Sequence, residues 1–470
     1  MLAINKKWIV VILLVIIRIL TLQYYASDPN IYTDPLNVIP GYTFRDIKDS
    51  CTLIKSGISP YVSYNIRFPV LFLALFNDWC PYTKSKELGL FLVLTLLDLA
   101  TALLILDYHE NLDINEEFST SKSDSVRSYI SFILFVGYLF NPIGIYTNIS
   151  LSFGPIINQL LLVLLLWFSN KKYCGNKRFF LPITYSILIY FSSINFICLL
   201  APLIYCYSIS DNISQNDSNF STEYLDVKSK KNKVSYLIIN IIPKIFKSMN
   251  NIYSIIWSRV FTFIMLFSIS LCIFHTLSLL IIDSMSIEDY INRFFWHIIT
   301  FNNHDTLTPS LSIYWYIMTV IFSRFKLLFQ MLFGVYSLLI IFPLIFAFRN
   351  TPTKIMETTI VMVLFFQNHP TLINYTLCLY LILFDFSSHK ETHYSRFITG
   401  LLSLNIVGLS LISNIRHIWL VENRANANYM YSICIIIQGS LLLLTREWIH
   451  LAYRKQLEIS KNKVLKIKHE

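Results

Sequence analysis

The strongest constraint on this chain is the recurrence of apolar runs long enough to cross a bilayer. An α-helix rises 1.5 Å per residue, so about 20 residues cover the ~30 Å of hydrocarbon. By that ruler about twelve spans lie near residues 8–24, 86–106, 128–141, 152–169, 178–192, 194–209, 257–282, 327–348, 354–367, 371–387, 397–419 and 430–449. Two further stretches, 68–79 and 311–323, are shorter or flanked by proline and read as re-entrant or interfacial helices. The chain is 55% hydrophobic and 14% charged, with a mean hydropathy of +0.55. A soluble fold of 470 residues cannot cover so much apolar surface, whereas lipid can. The expected fold is an all-α polytopic membrane protein. It is a single transmembrane domain over 1–470, with a large first loop at 25–85, a polar basic loop at 211–250 and a basic tail at 450–470.

The net charge of +10 does not point to nucleic acid, because Lys and Arg sit in short segments between apolar blocks. Positive loops facing the cytosol and its anionic lipid explain them better. With a cytosolic N-terminus, the basic residues Lys171, Lys172, Lys177 and Arg178 face the cytosol. So do the run Lys228 to Lys233, then Arg349, Lys354, Lys390, Arg396 and the tail after Arg446. The opposite face then holds 25–85, 142–151, 283–326 and 420–429. Lys6 and Lys7 precede an apolar run that would also suit a cleaved signal peptide, but Arg18 interrupts it, which favours a retained first span. Lys466 and Lys468, fifth and third from the end, resemble a cytosolic dilysine signal for return to the endoplasmic reticulum. The eight cysteines show no metal-ligand spacing, and no nucleotide-binding glycine motif occurs, so no cofactor is expected. Cys51 and Cys80 alone share a polar region, which leaves a disulfide between them open.

Few side chains could carry chemistry. Arg18 and Asp98 are the clearest charges inside spans, where each costs roughly 2.5–3.5 kcal/mol on insertion scales, and they could pair across helices. The first loop carries Asp28, Asp34, Asp46 and Asp49. Metal-assisted or general-base transfer needs two carboxylates held together. Asp46 and Asp49 would share a helix face, but Arg45 and Lys48 interleave them, which reads as a solvated helix surface. His297 and His304 lie near no cysteine on their side of the membrane. A binding or scaffold protein therefore fits better than an enzyme. Two stretches look like recognition surfaces. Asp305 to Pro309 followed by Tyr314-Trp315-Tyr316 suits the headgroup level, unless it is a simple aromatic belt. Asn423 to Tyr429 offers the carboxamides of Asn426 and Asn428, which donate and accept, and the guanidinium of Arg424; a plain turn capping the last span is the other reading.

Several pieces, in order, resemble the PIG-U family of GPI transamidase subunits. They are Gly57-Ile-Ser-Pro60-Tyr61 with Arg67-Phe-Pro69, then Tyr138-Leu-Phe-Asn141-Pro142, then Leu307-Thr-Pro309 with Tyr314-Trp315-Tyr316. His369-Pro370-Thr371 stands where the family has Tyr-Pro-Thr. His417-Ile-Trp419 and Ala425-Asn426-Ala427-Asn428-Tyr429 follow. The resemblance covers about residues 40–455, and its last element is the most specific. It implies a GT-C-like bundle in the endoplasmic reticulum membrane that does no bond-making itself. A separate caspase-like subunit would cut the substrate and pass it to the glycosylphosphatidylinositol (GPI) lipid. It further implies that Asn426 and Asn428 hold the GPI head group, with Arg424, Asn141, Tyr314 and Trp315 around them. Asn423-Arg424 replaces the family's more frequent Gly-Ser, and 211–234 is an insertion. The rival expectations are a dolichol-phosphate-mannose-dependent mannosyltransferase of GT-C fold, disfavoured by the missing acidic pair, and a transporter, disfavoured by the scarcity of charges in the spans.

Overall fold

A computed structural model describes residues 12–21, 23, 36, 39, 42–62, 66, 68–77, 84–110, 121–170, 179–191, 194–209, 242–281, 287–290, 309–349, 351–388 and 395–469. Every regular element among them is helical. The first part of the chain forms α1 (Ile12–Thr21), α2 (Phe44–Lys55), α3 (Val70–Asn77), α4 (Lys84–Glu110) and α5 (Ser121–Leu139). Next come α6 (Pro142–Ile149), α7 (Phe153–Ser169), α8 (Phe180–Phe191) and α9 (Leu200–Ile209). The second part forms α10 (Ile242–Ile281), α11 (Ile287–Tyr290), α12 (Tyr314–Val320) and α13 (Ser323–Ala347). It ends with α14 (Pro352–Phe365), α15 (Leu372–Ser388), α16 (Ser395–Leu420) and α17 (Ala427–His469).

Among the described residues, five helical segments are long and apolar enough to cross a membrane: Lys86–Glu110, Ser131–Ile149, Trp257–Ile281, Arg396–Leu420 and Ala427–Glu458. Shorter apolar helices accompany them, α7, α8 and Leu372–Asp385 of α15 among them. The chain is a helical membrane protein by this measure. The two short stretches become α3 and α12, of 8 and 7 residues. Helices that short are about 10–12 Å long, well under the hydrocarbon thickness. Two expectations are corrected. Residues 142–151, read as a loop, are mostly α6: Pro142 occupies the first turn, where its missing N–H is harmless, and Asn141 caps it. Residues 194–209 begin as a 3-10 turn, Ile194–Leu199, before α9. Lys354, at the start of the expected 354–367 span, lies in the first turn of α14 within an ion-pair network.

Two large apolar cores, with a small third cluster at Leu344, Phe348, Ile355 and Met362, hold the described bundle. The larger joins α4, α5, α7, α8 and α14 to α17 through residues such as Leu162, Tyr185, Ile360 and Leu377. The smaller seats α2 and α3 on one end of α4, α7 and α8. There Tyr42 meets Phe68 edge-on at 4.9 Å, and Phe68 stacks on Phe72 at 5.0 Å. Tyr42 donates its hydroxyl to the Phe191 carbonyl at 2.9 Å. α16 and α17 form a close antiparallel pair. A Cβ on Gly408 would stand 2.5 Å from Ile437 Cγ1, so this contact requires the missing side chain. Gly408→Leu is therefore expected to destabilise the protein by about 1–3 kcal/mol through overpacking. A lowered thermal midpoint in detergent would report it, and an unchanged midpoint would contradict the packing.

Two polar networks cross the bundle. Arg18 donates Nη2 to Asp98 Oδ2, and both residues are buried. Tyr138 donates to Asp98 Oδ1 at 3.1 Å and Asn148 Nδ2 to Oδ2 at 3.3 Å. The expected pairing of Arg18 with Asp98 is thus present. In the second network Lys354 Nζ lies 2.6 Å from Glu357 Oε2 and 2.5 Å from Asp385 Oδ2. Tyr108 donates to Glu357 at 2.6 Å and Trp448 to Asp385 at 2.5 Å, tying α4, α14, α15 and α17 together. Cys51 is disulfide-bonded. The candidate partner Cys80 lies outside the described residues, as do Asp28, Asp34, His297, His304, Lys390, the 211–241 segment and Asp305 to Thr308.

Candidate functional site

The turn between α16 and α17 is built by backbone closure at one end and a side-chain cap at the other. The Val421 N–H donates to the His417 carbonyl at 2.9 Å and the Arg424 N–H to Ile418 at 3.1 Å. Between them Asn423 has φ of +53°, in the left-handed region. Asparagine tolerates that region better than most residues with a side chain, so Asn423 serves where glycine would be the default. Asn426 is the N-cap of α17: its Oδ1 accepts from the Asn428 N–H at 3.0 Å.

A second segment, 310–316, packs beside this turn. Ser312 Oγ donates to the Asn368 carbonyl at 2.7 Å, and Gln438 Nε2 donates to the Leu311 carbonyl at 3.1 Å. Cys434 Sγ lies 3.4 Å from the Ser310 carbonyl. Trp315 stacks on Trp419 at 6.0 Å, and Tyr314 meets Phe333 edge-on at 5.4 Å. This anchoring delivers Tyr316, which donates its hydroxyl to Asn428 Oδ1 at 2.6 Å and stacks on Tyr431 at 3.9 Å.

The sequence-derived residues divide into four groups. Asn426 and Asn428 are exposed and adjacent. Arg424 is 79% exposed, with Nη1 3.5 Å from Glu422 Oε2, a pair of a kind that contributes about 0–1 kcal/mol. Tyr314 and Trp315 are buried, at 4% and 3% exposure, and their packing seats Tyr316. Asn141 spends its Oδ1 on the Ile143 N–H at 3.0 Å, and no described hydrogen bond joins it to the turn. The contact of Tyr316 with Asn428 has no local signal, since 112 residues separate them. Tyr431, three residues after Asn428 and so on the same helical face, was readable from spacing.

Comparison with known proteins decides the family. A family model described as GPI transamidase subunit PIG-U matches residues 12–437. The chain belongs to the PIG-U family. The human GPI-anchor transamidase component PIGU is 21% identical to this PIG-U family member over 468 residues, covering 95% of this chain and 94% of the human protein. The Cricetulus griseus protein of the same description is 21% identical over 465 residues, 95% and 93% of the two chains. The GPI transamidase component GAB1 homolog of Schizosaccharomyces pombe is 26% identical over 144 residues, 30% of this chain and 34% of that one. The PIG-U match extends past Asn428, so the turn lies within it.

In this PIG-U chain the turn is rich in donors. The Nδ2 groups of Asn426 and Asn428 make no hydrogen bond among the described residues. The Arg424 guanidinium adds more donors, and α17, 43 residues long, points its N-terminus at the same place. Helix N-termini and guanidinium groups both favour anionic oxygens, phosphate above all. The first-loop carboxylates are arranged differently. Asp46 closes a capping box on α2, its Oδ2 accepting from Thr43 N at 2.9 Å and Thr43 Oγ1 at 2.7 Å. Burial raises the Asp46 carboxyl above its ordinary range despite those bonds. Asp49 is exposed one turn later.

Proposed function

We propose that this chain is a subunit of the endoplasmic reticulum GPI transamidase that binds the GPI lipid and presents its head group for transfer to the C-terminus of a substrate protein. About twelve segments cross the membrane, both termini are cytosolic and the 420–429 turn is luminal. Bond-making belongs to a caspase-like partner subunit. The relatives' names as transamidase components support membership in the complex. The commitment of Asp46 to a helix cap supports a non-catalytic first loop. The disulfide at Cys51 supports a luminal side for that loop, because disulfides persist in oxidising compartments.

The observation that carries the head-group role is the pair of exposed carboxamides held in register at the start of α17. Each asparagine has its oxygen fixed, Asn426 by the cap and Asn428 by Tyr316, which leaves both NH2 groups for a ligand. A phosphodiester between them accepts from both amides and from Arg424. The amine to be acylated is then displayed at the membrane surface, next to the catalytic partner.

The test keeps the fold and removes the donors. Asn426→Ser preserves an N-cap, and Asn428→Asp preserves the acceptor for Tyr316. The double variant is expected to assemble normally while anchor attachment falls. Hydrogen bonds to charged groups contribute about 1.5–3 kcal/mol each, so head-group affinity should drop on the order of tenfold or more per residue. Wild-type attachment by an assembled double variant would remove the site. Cells depleted of the chain are expected to accumulate complete GPI lipids; truncated ones would instead indicate a mannosyltransferase.

A further inference from the structure

The His369-Pro370-Thr371 motif takes no part in the α16–α17 turn, yet it lies under the same segment. Ser312 bonds the Asn368 carbonyl at 2.7 Å, and the Tyr314 ring meets His369 at 6.4 Å. The strap that carries Tyr316 to Asn428 therefore also covers the start of α15. Thr371 precedes the first residue of α15, a position where a threonine hydroxyl ordinarily accepts from the helix's own N–H groups. Here Thr371 Oγ1 has no hydrogen-bond partner among the described residues, although the residue is only 1% exposed. Asn374, in the first turn and 0% exposed, donates Nδ2 to Gln367 Oε1 at 3.1 Å. Its Oδ1 has no partner among the described residues either. Buried polar groups left this way are rare in native proteins and call for a specific explanation.

We propose that Gln367, Thr371 and Asn374, at the N-terminus of α15, form a subsite for a neutral hydroxyl of the glycolipid's sugar portion. This rests on the head-group reading of the Asn426–Asn428 turn and assigns a second contact to the same ligand. The chemistry of the unused atoms selects the ligand class. Thr371 Oγ1 both donates and accepts, whereas Asn374 Oδ1 only accepts. An ionised phosphate also only accepts, so Asn374 Oδ1 would repel it. A sugar or inositol hydroxyl donates to Asn374 and meets the Thr371 hydroxyl at once. The donor-rich turn then takes the phosphate and the α15 subsite takes the glycan.

The experiment is competition against anchor attachment by the purified complex. Two probes are used: head-group glycan freed of its phosphates with hydrofluoric acid, and phosphoethanolamine. Thr371→Val keeps the shape and removes the hydroxyl, so the complex should retain its thermal midpoint. Inhibition by the glycan is expected to weaken about tenfold while inhibition by phosphoethanolamine is unchanged, and Thr371→Ser should restore the former. Asn374→Leu should reproduce the Thr371→Val result. Unchanged glycan inhibition in both variants overturns the subsite, as does equal weakening of both probes or a glycan that fails to compete in the wild type. The head-group reading fails separately, if the Asn426→Ser, Asn428→Asp variant leaves phosphoethanolamine inhibition intact.

Discussion

Arg18→Ala, with Asp98 left in place, is expected to destabilise the protein by about 3–5 kcal/mol and to deplete the assembled complex. Asp98 sits in the middle of α4 and is 2% exposed. Among the described residues, removing Arg18 leaves its carboxylate with Tyr138 and Asn148 as donors, neither of which neutralises the charge. The loss also strikes α1 as a whole. The ion pair, with the Arg18 Nη2 contact to the Leu139 carbonyl at 3.4 Å, ties α1 to α4 and α5. The double variant Arg18→Leu with Asp98→Leu is expected to recover much of the loss, because an apolar pair removes the stranded charge. Co-purification with partner subunits measures the depletion. Normal assembly of the Arg18→Ala protein would show that α1 is held by packing alone.

Lys354→Met is the second large effect. Lys354 is the cation that pairs with both Glu357 and Asp385 among the described residues; their side chains are 3% and 17% exposed. Without it two carboxylates on neighbouring helices repel one another, and Tyr108 and Trp448 supply only neutral donors. A cost of about 3–5 kcal/mol is expected, as for other broken buried pairs. The sulfur and carbon stem of methionine keeps the volume, so the loss reports charge and not packing. Restoring neutrality with Glu357→Gln and Asp385→Asn should raise the thermal midpoint of the Lys354→Met protein again. A triple variant no more stable than the single one would contradict this assignment. Arg424→Ala, by contrast, should leave stability nearly unchanged, because its pairing with Glu422 is exposed.

The apolar runs marked most helices because lipid-facing and core-facing residues are both apolar, so a span needs no amphipathic pattern to announce itself. The same uniformity hid the breaks. Nothing in the composition of 142–151 separates loop from helix; only Pro142 behind the capping Asn141 carried the signal. Likewise Lys354 reads as a cytosol-facing charge at a span end until Asp385, 31 residues away, is seen beside it. Arg18 and Asp98 were legible as partners because each is intolerable alone in a span. At the turn, Asn426 and Asn428 could be named from their carboxamide chemistry and the family resemblance, but not the way their oxygens are used. The cap is local and could be inferred, whereas the Tyr316 bond depends on how 310–316 packs against α17. Tyr314 and Trp315 illustrate the limit. An aromatic run at a membrane boundary looks the same whether it faces lipid headgroups or the core, and burial decides.

A photoreactive amino acid placed at Tyr429, which is 59% exposed beside Asn428, tests the head-group contact most directly. In the assembled complex, irradiation should crosslink this position to radiolabelled GPI, and excess phosphoethanolamine should suppress the adduct. A complex that attaches anchors at the normal rate yet gives no lipid adduct from Tyr429 would contradict it.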